Sequence, residues 1–379
     1  MNFSINTKEF LKSLQFAARV LPSNKIAPVF ECVLIYVRND KVMVVTASDG
    51  NATLRIKSKC TELEMEEKEV SILAPADLLI RTLTALPNTS ATFTYTVEGL
   101  MNFSLELAVE SDLFTIPCED PTAYFRVPEV KDGESLVLPA QKLQRGINQV
   151  VGFVSENAMR PELCGVSMRV FPGCLEFIAT DGFTFSYYSR HHETDAKDKE
   201  LIIPARFAKL LSDSIGDSEK NVTIDISGKM IKVHSGDWQA YSVLVEGVYP
   251  GKREHISGSF EYEATVNSGL LKACIKRANI FANFKEPEVS LDFKGNNLFI
   301  SSGFEEKNTR SNQDIAVSSE IDSLSISFNS KRLLDALANV SGDFTICMNG
   351  TSKPAVIKPD AEDDEDIAIM VFPVVQLSI

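Results

Sequence analysis

Histidine is scarce in this chain, and positive charge is in deficit. Only four histidines occur in 379 residues, His191, His192, His234 and His255. None stands in His-Glu-x-x-His or another metal-binding spacing. There is no Gly-x-Ser-x-Gly elbow and no Walker-type glycine loop, so the usual sequence signs of a serine hydrolase or a phosphate-cleaving enzyme are missing. Seven cysteines, Cys32, Cys60, Cys118, Cys164, Cys174, Cys274 and Cys347, form no Cys-x-x-Cys pair. That argues against zinc and thiol-redox chemistry and for small core residues in a reducing compartment. No run approaches the ~18 apolar residues of a membrane span. Met1-Asn2-Phe3-Ser4-Ile5 lacks the charged and apolar regions of a signal peptide. The expectation is a cytoplasmic protein without metal, cofactor or catalysis.

What the chain does have is a repeat. A short alternating strand followed by a helix recurs six times, with helices opening near Thr7, Pro75, Pro139, Pro204, Ser268 and Ser330. The offsets are 68, 64, 65, 64 and 62 residues, and a near-constant period signals an architecture built from one unit. Three openings read strand-Pro-Ala, at Pro75-Ala76, Pro139-Ala140 and Pro204-Ala205; proline suits the first helical position, where its missing N–H is no loss. The other three, Asn6-Thr7, Asn267-Ser268 and Asn329-Ser330, carry good N-cap residues. Apolar residues then follow at helical spacing, as in Phe10, Leu11, Leu14 and Leu333, Leu334, Leu337.

A coarser repeat overlays this one. Val44-Val45-Thr46-Ala47-Ser48-Asp49-Gly50 matches Phe177-Ile178-Ala179-Thr180-Asp181-Gly182, with a weaker third copy at Leu298-Phe299-Ile300-Ser301-Ser302-Gly303. Each reads as a strand entering a tight turn. Three copies against six helices predict an α+β chain of three similar domains, each with two helices packed on antiparallel sheets. The boundaries fall at 1–127, 128–254 and 255–379, within the size range of ordinary domains.

Charge is segregated along the same pattern. The whole chain carries 38 basic and 52 acidic residues, a net of −14, which taken alone argues against nucleic acid. The six helical segments nevertheless hold 13 basic residues against 4 acidic, and the remainder holds 25 against 48. The basic set is Lys8, Lys12, Arg19, Arg81, Lys142, Arg145, Arg206, Lys209, Lys272, Lys276, Arg277, Lys331 and Arg332. Repeated units with basic helices on one face make a curved wall; closed, that wall has a positive hole and an acidic rim. Such a surface attracts phosphates without reading sequence, while the acidic remainder repels DNA elsewhere.

Several segments, in order and spacing over essentially the full length, resemble the beta subunit of bacterial DNA polymerase III, the replicative sliding clamp. They are Met1-Asn2-Phe3-Ser4-Ile5 with Phe10-Leu11 and Leu14-Gln15, Ile178-Ala179-Thr180-Asp181-Gly182, Gly236-Asp237-Trp238 leading to Val245-Glu246-Gly247-Val248-Tyr249-Pro250, and Met370-Val371-Phe372-Pro373-Val374. The resemblance implies the DNA clamp fold. It implies a head-to-tail homodimeric ring around double-stranded DNA, with two helices per domain facing the hole. The ring would tether the polymerase III catalytic subunit for processive replication. A clamp loader would open it, and other polymerases and repair proteins would share it through a clamp-binding peptide of glutamine with apolar or aromatic residues. The matching pocket positions are Leu163, Thr180, Gly182, Pro250, Pro354, Met370, Val371, Phe372, Pro373 and Val374, with Phe183 and Phe185 added to the expected pocket. The matching dimer-interface positions are Phe114 and Ile116 on one side, Ile280 and Phe281 on the other.

The chain departs from the common pattern at Phe183-Thr184-Phe185, where many members carry His-Arg-Leu. It also departs at Gly251-Lys252-Arg253-Glu254 and in the added Gln376-Leu377-Ser378-Ile379. These changes bear on peptide preference, with Phe183 and Phe185 expected to make the pocket more aromatic. The acidic run Glu362-Asp363-Asp364-Glu365-Asp366 lacks the glycine and spacing of an EF-hand and reads as a solvated loop. The competing reading is a repeat-built protein scaffold that does not encircle DNA.

Overall fold

The computed structural model describes residues 1–22, 28–99, 102–124, 130, 133–192, 198–216, 220–250, 256 and 258–374. The expected domain boundaries at 127/128 and 254/255, the segment Gly251–Glu254 and the terminal Gln376–Ile379 lie outside the described residues. Among the described residues there are six α-helices: α1 (Thr7–Ala18), α2 (Ala76–Ala85), α3 (Ala140–Val150), α4 (Ala205–Ile215), α5 (Ser268–Asn279) and α6 (Ser330–Ala336). Each begins directly at the end of a strand, so no loop separates the two halves of the repeat.

The helix openings correct one expectation. Pro75, Pro139 and Pro204 are the last residues of their strands, pairing with Cys32, Asn221 and Gly165; they are not the first helical residues. Pro75 is the N-cap of α2 with φ −63° and ψ 118°, and Asn329, the N-cap of α6, has the same pair of angles. Proline serves there because its ring fixes φ near that value. Asparagine reaches the same conformation and adds an acceptor. Asn6 Oδ1 accepts from the N–H groups of Lys8 and Glu9, Asn267 Oδ1 from Leu270 and Asn329 Oδ1 from Arg332. Each satisfies an amide that a helix start leaves unpaired, an effect of about 1 kcal/mol.

Among the described residues the strands fall into six groups of four, with two short strands, Glu62–Glu64 and Ser318–Ser319, added at sheet edges, and every pairing is antiparallel. Each group joins the strand that feeds a helix to a three-strand meander. One such group is Glu69–Pro75, Cys32–Arg38, Val42–Ser48 and Ala52–Lys59; another is Glu134–Pro139, Asn221–Ser227, Met230–Ser235 and Trp238–Val243. The last strands of these two groups pair with each other, Trp238 opposite Ile56 and Ser242 opposite Ala52, giving one eight-stranded sheet. A nine-stranded sheet arises the same way where Thr184–His192 pairs Glu365–Val371, Thr184 opposite Val371 and Arg190 opposite Glu365. The two remaining groups form a five-stranded sheet ending in Asp112–Cys118 and a four-stranded sheet ending in Thr309–Ala316. Because sheets run on past the expected boundaries, the chain divides into two compact units: Met1–Gln141 with Leu210–Leu244, and Lys142–Lys209 with Val245–Ile379.

Each helix buries its apolar stripe on a sheet. In α1, Phe10, Leu11, Leu14 and Ala17 are buried. Phe10 meets Phe93 edge-on at 5.2 Å, and Phe93 stacks on Phe3 at 4.9 Å. Each such side chain contributes roughly 1.5–3 kcal/mol on leaving water. On α3 the approach is closest at Gly146, where an added Cβ would lie 2.2 Å from the buried Phe177 ring. Gly146→Val is therefore expected to cost about 1–3 kcal/mol by overpacking, read as a lowered midpoint in chemical denaturation. An unchanged midpoint would mean that the ring has room to move.

Two of the three expected tight turns are twins. Gly50 and Gly182 have φ +92° and +90°, a conformation that glycine adopts without penalty. In the first turn Ser48 Oγ donates to Ala52 O and accepts from Gly50 N–H, and Asp49 Oδ1 accepts from Asn51 and Ala52. In the second, Thr180 Oγ1 and Asp181 Oδ1 repeat the pattern toward Thr184, Gly182 and Phe183. The third expected copy differs: Gly303 lies inside the strand Asn297–Phe304, and the chain reverses through Glu305–Lys307 and Asn308. Ser302 carries no following aspartate to close the turn, so the strand runs on. No helix among the described residues is long and apolar enough to cross a membrane.

Candidate functional site

The twelve expected pocket positions all lie in the second unit. Leu163, Phe185 and Met370 belong to one buried cluster with Ile178, Tyr187, Tyr249 and Val356. The strands Gly173–Thr180, Thr184–His192 and Glu365–Val371 bring them together, since Phe185 stands opposite both Thr180 and Met370. Thr180 is buried, and its N–H donates to the Tyr249 hydroxyl at 3.0 Å. Burial pushes the Tyr249 phenol upward, so it stays neutral and can act as this acceptor. Sequence reasoning passed over Tyr249 as a site residue, although it stands beside Pro250 in the Val245–Pro250 segment. Val371 is buried opposite Thr184 and Ala355, Pro354 immediately precedes that strand, and Pro250 is exposed.

Above this floor the residues are exposed. Phe183 follows the Asp181-Gly182 turn with its ring 51% accessible, and Phe372 and Val374 are 43% and 38% accessible. Backbone bonds fix their order: Phe372 N–H donates to Phe183 O at 3.2 Å, and Val374 N–H to Ser327 O at 2.8 Å. Pro373 is half-buried between them. The expected pair of inward aromatics therefore splits. Phe185 is buried in the core and Phe183 is presented at the rim, because Phe183 lies in the turn and Phe185 in the strand Thr184–His192 that follows it. The Arg332 guanidinium lies over the Phe183 ring at 3.6 Å from its centre.

The acidic run has a structural partner. Arg190 forks to Glu362 at 3.0 Å, Asp364 at 2.8 Å and Glu365 at 3.0 Å. Glu365 has a fully buried side chain, accepts from the Tyr188 hydroxyl at 2.7 Å and pairs with Arg145 at 2.5 Å. The bond from Arg190 holds the Asp364 carboxyl below the usual carboxylate range. Three of the carboxylates are thus committed to arginine. Among the described residues no group of three or more His, Cys, Asp or Glu side chains is arranged to hold a metal. Burial raises the thiols of Cys32, Cys60 and Cys347 to about 11 and Cys118 to about 12, so these sulfurs stay protonated near neutral pH.

The thirteen basic helix residues divide by what they touch. Lys8 Nζ donates to the carbonyls of Leu83, Thr84 and Leu86 at the end of α2. Lys142 Nζ donates to His191 O and Lys272 Nζ to Val340 O. Arg19 reaches Asp213 O, Arg81 pairs with Asp77, Arg145 with Glu365, and Arg277 donates to Gln313. Arg332 is occupied at Phe183, and Arg206 is exposed on α4. Lys12, Lys209, Lys276 and Lys331 are exposed on α1, α4, α5 and α6 and make no side-chain bond among the described residues. Residue counting cannot separate these classes, because the distinction lies in which carbonyl or carboxylate the fold brings near.

The expected interface residues also divide. Asp112–Cys118 is an edge strand of its sheet. Ile116 on it is buried at 1% and Phe114 is half-buried, whereas Leu113, not anticipated from the sequence, is 63% exposed. Ile116 is thus part of the internal core. At the end of α5, Ile280 and Phe281 are 78% and 40% exposed and Phe284 is 98% exposed. Thr309 Oγ1 donates to Phe281 O at 2.9 Å, tying this apolar end to the edge strand Thr309–Ala316. A cleft of about 830 Å³ lined by Ile280, Phe284, Phe304, Thr309 and Leu334 lies there.

Comparison with known proteins covers the same ground. Residues 1–124 match the family described as DNA polymerase III beta subunit, N-terminal domain. Residues 137–251 match its central domain and residues 256–374 its C-terminal domain. The chain is 25% identical over 380 residues to the beta sliding clamp of Staphylococcus epidermidis and 26% identical over 387 residues to that of Streptococcus pneumoniae, covering 99% of each chain. Among solved structures it is similar to the DNA polymerase III subunit beta of Pseudomonas aeruginosa, with a TM-score of 0.89 at 22% identity over 99% of this chain and 100% of that one. A second structure of the Pseudomonas aeruginosa clamp has griselimycin bound. The Bacillus subtilis sliding clamp matches with a TM-score of 0.87 at 23% identity over the whole of both chains.

Proposed function

The chain belongs to the family of DNA polymerase III beta subunits, the sliding clamps, and from that membership we propose that two copies close head to tail into a ring around duplex DNA, holding partner proteins there through a short peptide. A sliding clamp is a processivity factor, not a catalyst. The three domains of the reading are 1–127, 128–254 and 255–379.

One observation carries the ring. Groups of four strands join end to end twice within the chain, and each time the last strand of one meander pairs the last strand of another. The same two kinds of last strand remain at sheet edges in Asp112–Cys118 and Thr309–Ala316. In this reading a third junction of the same type forms between copies. Such a contact is heterologous, and heterologous contacts that close make rings; pairing the edges also removes two exposed templates for aggregation. Leu113, Ile280, Phe281 and Phe284 supply apolar surface beside those edges. The exposed Lys12, Lys209, Lys276 and Lys331 support the interior of the ring as the DNA-facing side.

The pocket supports the partner reading. A buried floor of Leu163, Phe185 and Met370 with few polar groups suits a peptide with apolar anchors. The polymerase III catalytic subunit, a clamp loader, and other polymerases and repair proteins are the partners this implies, in the cytoplasm.

The test is topological. The protein is loaded on nicked circular DNA with a clamp loader and ATP, washed in high salt, and the circle is then linearised. Retention on the circle with release on linearisation is expected, because a closed ring is held by linkage rather than by affinity. Retention on both forms would make it an ordinary DNA binder. Release from both, with a loader of proven activity, would favour a protein scaffold.

A further inference from the structure

We propose that Arg332, stacked on Phe183 at the rim of the pocket, selects partner peptides that carry a carboxylate beside their apolar anchors. The inference rests on the pocket reading above and concerns which peptides that pocket prefers. Arg332 sits in the first turn of α6, held by the Asn329 cap on its own N–H. Its guanidinium lies 3.6 Å from the centre of the Phe183 ring. That contact covers one face of the guanidinium and leaves the in-plane N–H groups, which are the only directions in which it can donate.

Among the described residues those donors have no acceptor: Arg332 makes no ion pair and no side-chain hydrogen bond. Asp335, three residues along α6, forms no ion pair with Arg332 among the described residues, and Asp181, beside Phe183, is spent on the N–H groups of Phe183 and Thr184 and on the Thr184 hydroxyl. Phe183 is itself joined to the exposed Phe372 by a backbone bond. The rim thus presents one uncompensated cation on an aromatic platform among apolar side chains. An acidic side chain on an incoming peptide satisfies the guanidinium with two parallel N–H···O bonds, a geometry that arginine provides and an amide partner cannot match in charge. Stacking on Phe183 holds the guanidinium plane in place, which lowers the entropy lost when the carboxylate arrives.

The experiment measures fluorescence anisotropy of labelled decapeptides with glutamine, leucine and phenylalanine anchors and alanine elsewhere. A single Glu is moved through the non-anchor positions, and each peptide is paired with its Gln counterpart. A control peptide has its anchors replaced by alanine. With the full-length protein at low salt, Glu at one position is expected to bind about tenfold more tightly than Gln there. That preference should shrink as salt rises. Arg332→Gln should erase the preference, weakening the Glu peptide far more than the Gln peptide, with the melting temperature little changed. Arg332→Glu should reverse it toward a Lys peptide, and Phe183→Leu should reduce it with the charge still present. Equal binding of Glu and Gln peptides at every position, or a preference that survives Arg332→Gln, overturns the proposal and leaves the pocket standing. Peptide binding that ignores the anchors overturns the pocket reading itself.

Discussion

Replacing Lys12, Lys209, Lys276 and Lys331 together with alanine should strip the protein of most of its attraction for duplex DNA while leaving its melting temperature within a degree or two. These four ammonium groups stand exposed on four different helices and bond to nothing among the described residues. An exposed charge of this kind seldom carries more than about 0.5 kcal/mol of stability. Toward DNA the same charges act through counterion release, and each phosphate contact contributes about 0.9 to the slope of log K against log salt. The quadruple variant should therefore show a shallower salt slope and at least a tenfold weaker affinity at about 50 mM salt. A contrasting set is built in. Lys8, Lys142 and Lys272 donate to backbone carbonyls, so their replacement by alanine should cost roughly 1 kcal/mol each in folding. An unchanged salt slope in the quadruple variant would remove these helices from the DNA-facing surface.

The junction between copies should be as sensitive. Leu113→Asp or Ile280→Asp is expected to convert a dimer into monomers at micromolar concentration, read by sedimentation. Each removes an exposed apolar side chain whose burial contributes roughly 1.5–3 kcal/mol, and each adds a charge that the junction would have to desolvate. Every 1.4 kcal/mol is tenfold in affinity. Both junctions of a two-copy ring carry the same change, so the losses compound.

Taking the closing pair of each hairpin as the reference point gives a register that can be tested. Thr53 and Phe185 occupy equivalent places after their hairpins, opposite Ser48 and Thr180, and they pair with Tyr241 and Met370 across the internal junctions. The corresponding place in Thr309–Ala316 is Thr309, opposite Phe304. The closing pairs Ser235–Trp238 and Val109–Asp112 align Tyr241 with Thr115. Thr309 should then face Thr115 of the second copy, and Ser311 should face Leu113. A Leu113→Cys, Ser311→Cys double variant should form an intermolecular disulfide, since directly opposed residues lie within bridging distance. Leu113→Cys with Gln313→Cys is diagonal, about 7–8 Å apart, and should link far more slowly. Equal linking of both would discard the register, and no linking of either would discard the junction.

The sequence by itself determined the unit and its number. Six strand-helix openings at near-equal spacing, apolar residues on the helical period, and asparagines at the caps are local facts. Each depends only on neighbours a few residues away, which is why Asn6, Asn267 and Asn329 could be named as caps before any packing was known. The separation of basic helices from an acidic remainder was legible for the same reason, as was the matched Ser48-Asp49-Gly50 and Thr180-Asp181-Gly182 turn.

Only the tertiary structure decided how those units are used. Strand pairing joins residues almost two hundred positions apart, so the sequence could not say that Trp238 would lie opposite Ile56 or Arg190 opposite Glu365. The sheets built by those pairings turn three sequence-level domains into two compact units. Side-chain partners follow from the same long-range placement. Arg145 is paired with Glu365, Lys8 is drawn to the end of α2, and Arg332 is stacked on the Phe183 ring. Ile116 and Phe185 were apolar residues of undetermined facing until the sheets assigned them to cores, leaving Leu113 and Phe183 outside. Charge and apolarity are properties of a residue, but whether they are available to a partner depends on what the fold has already placed against them.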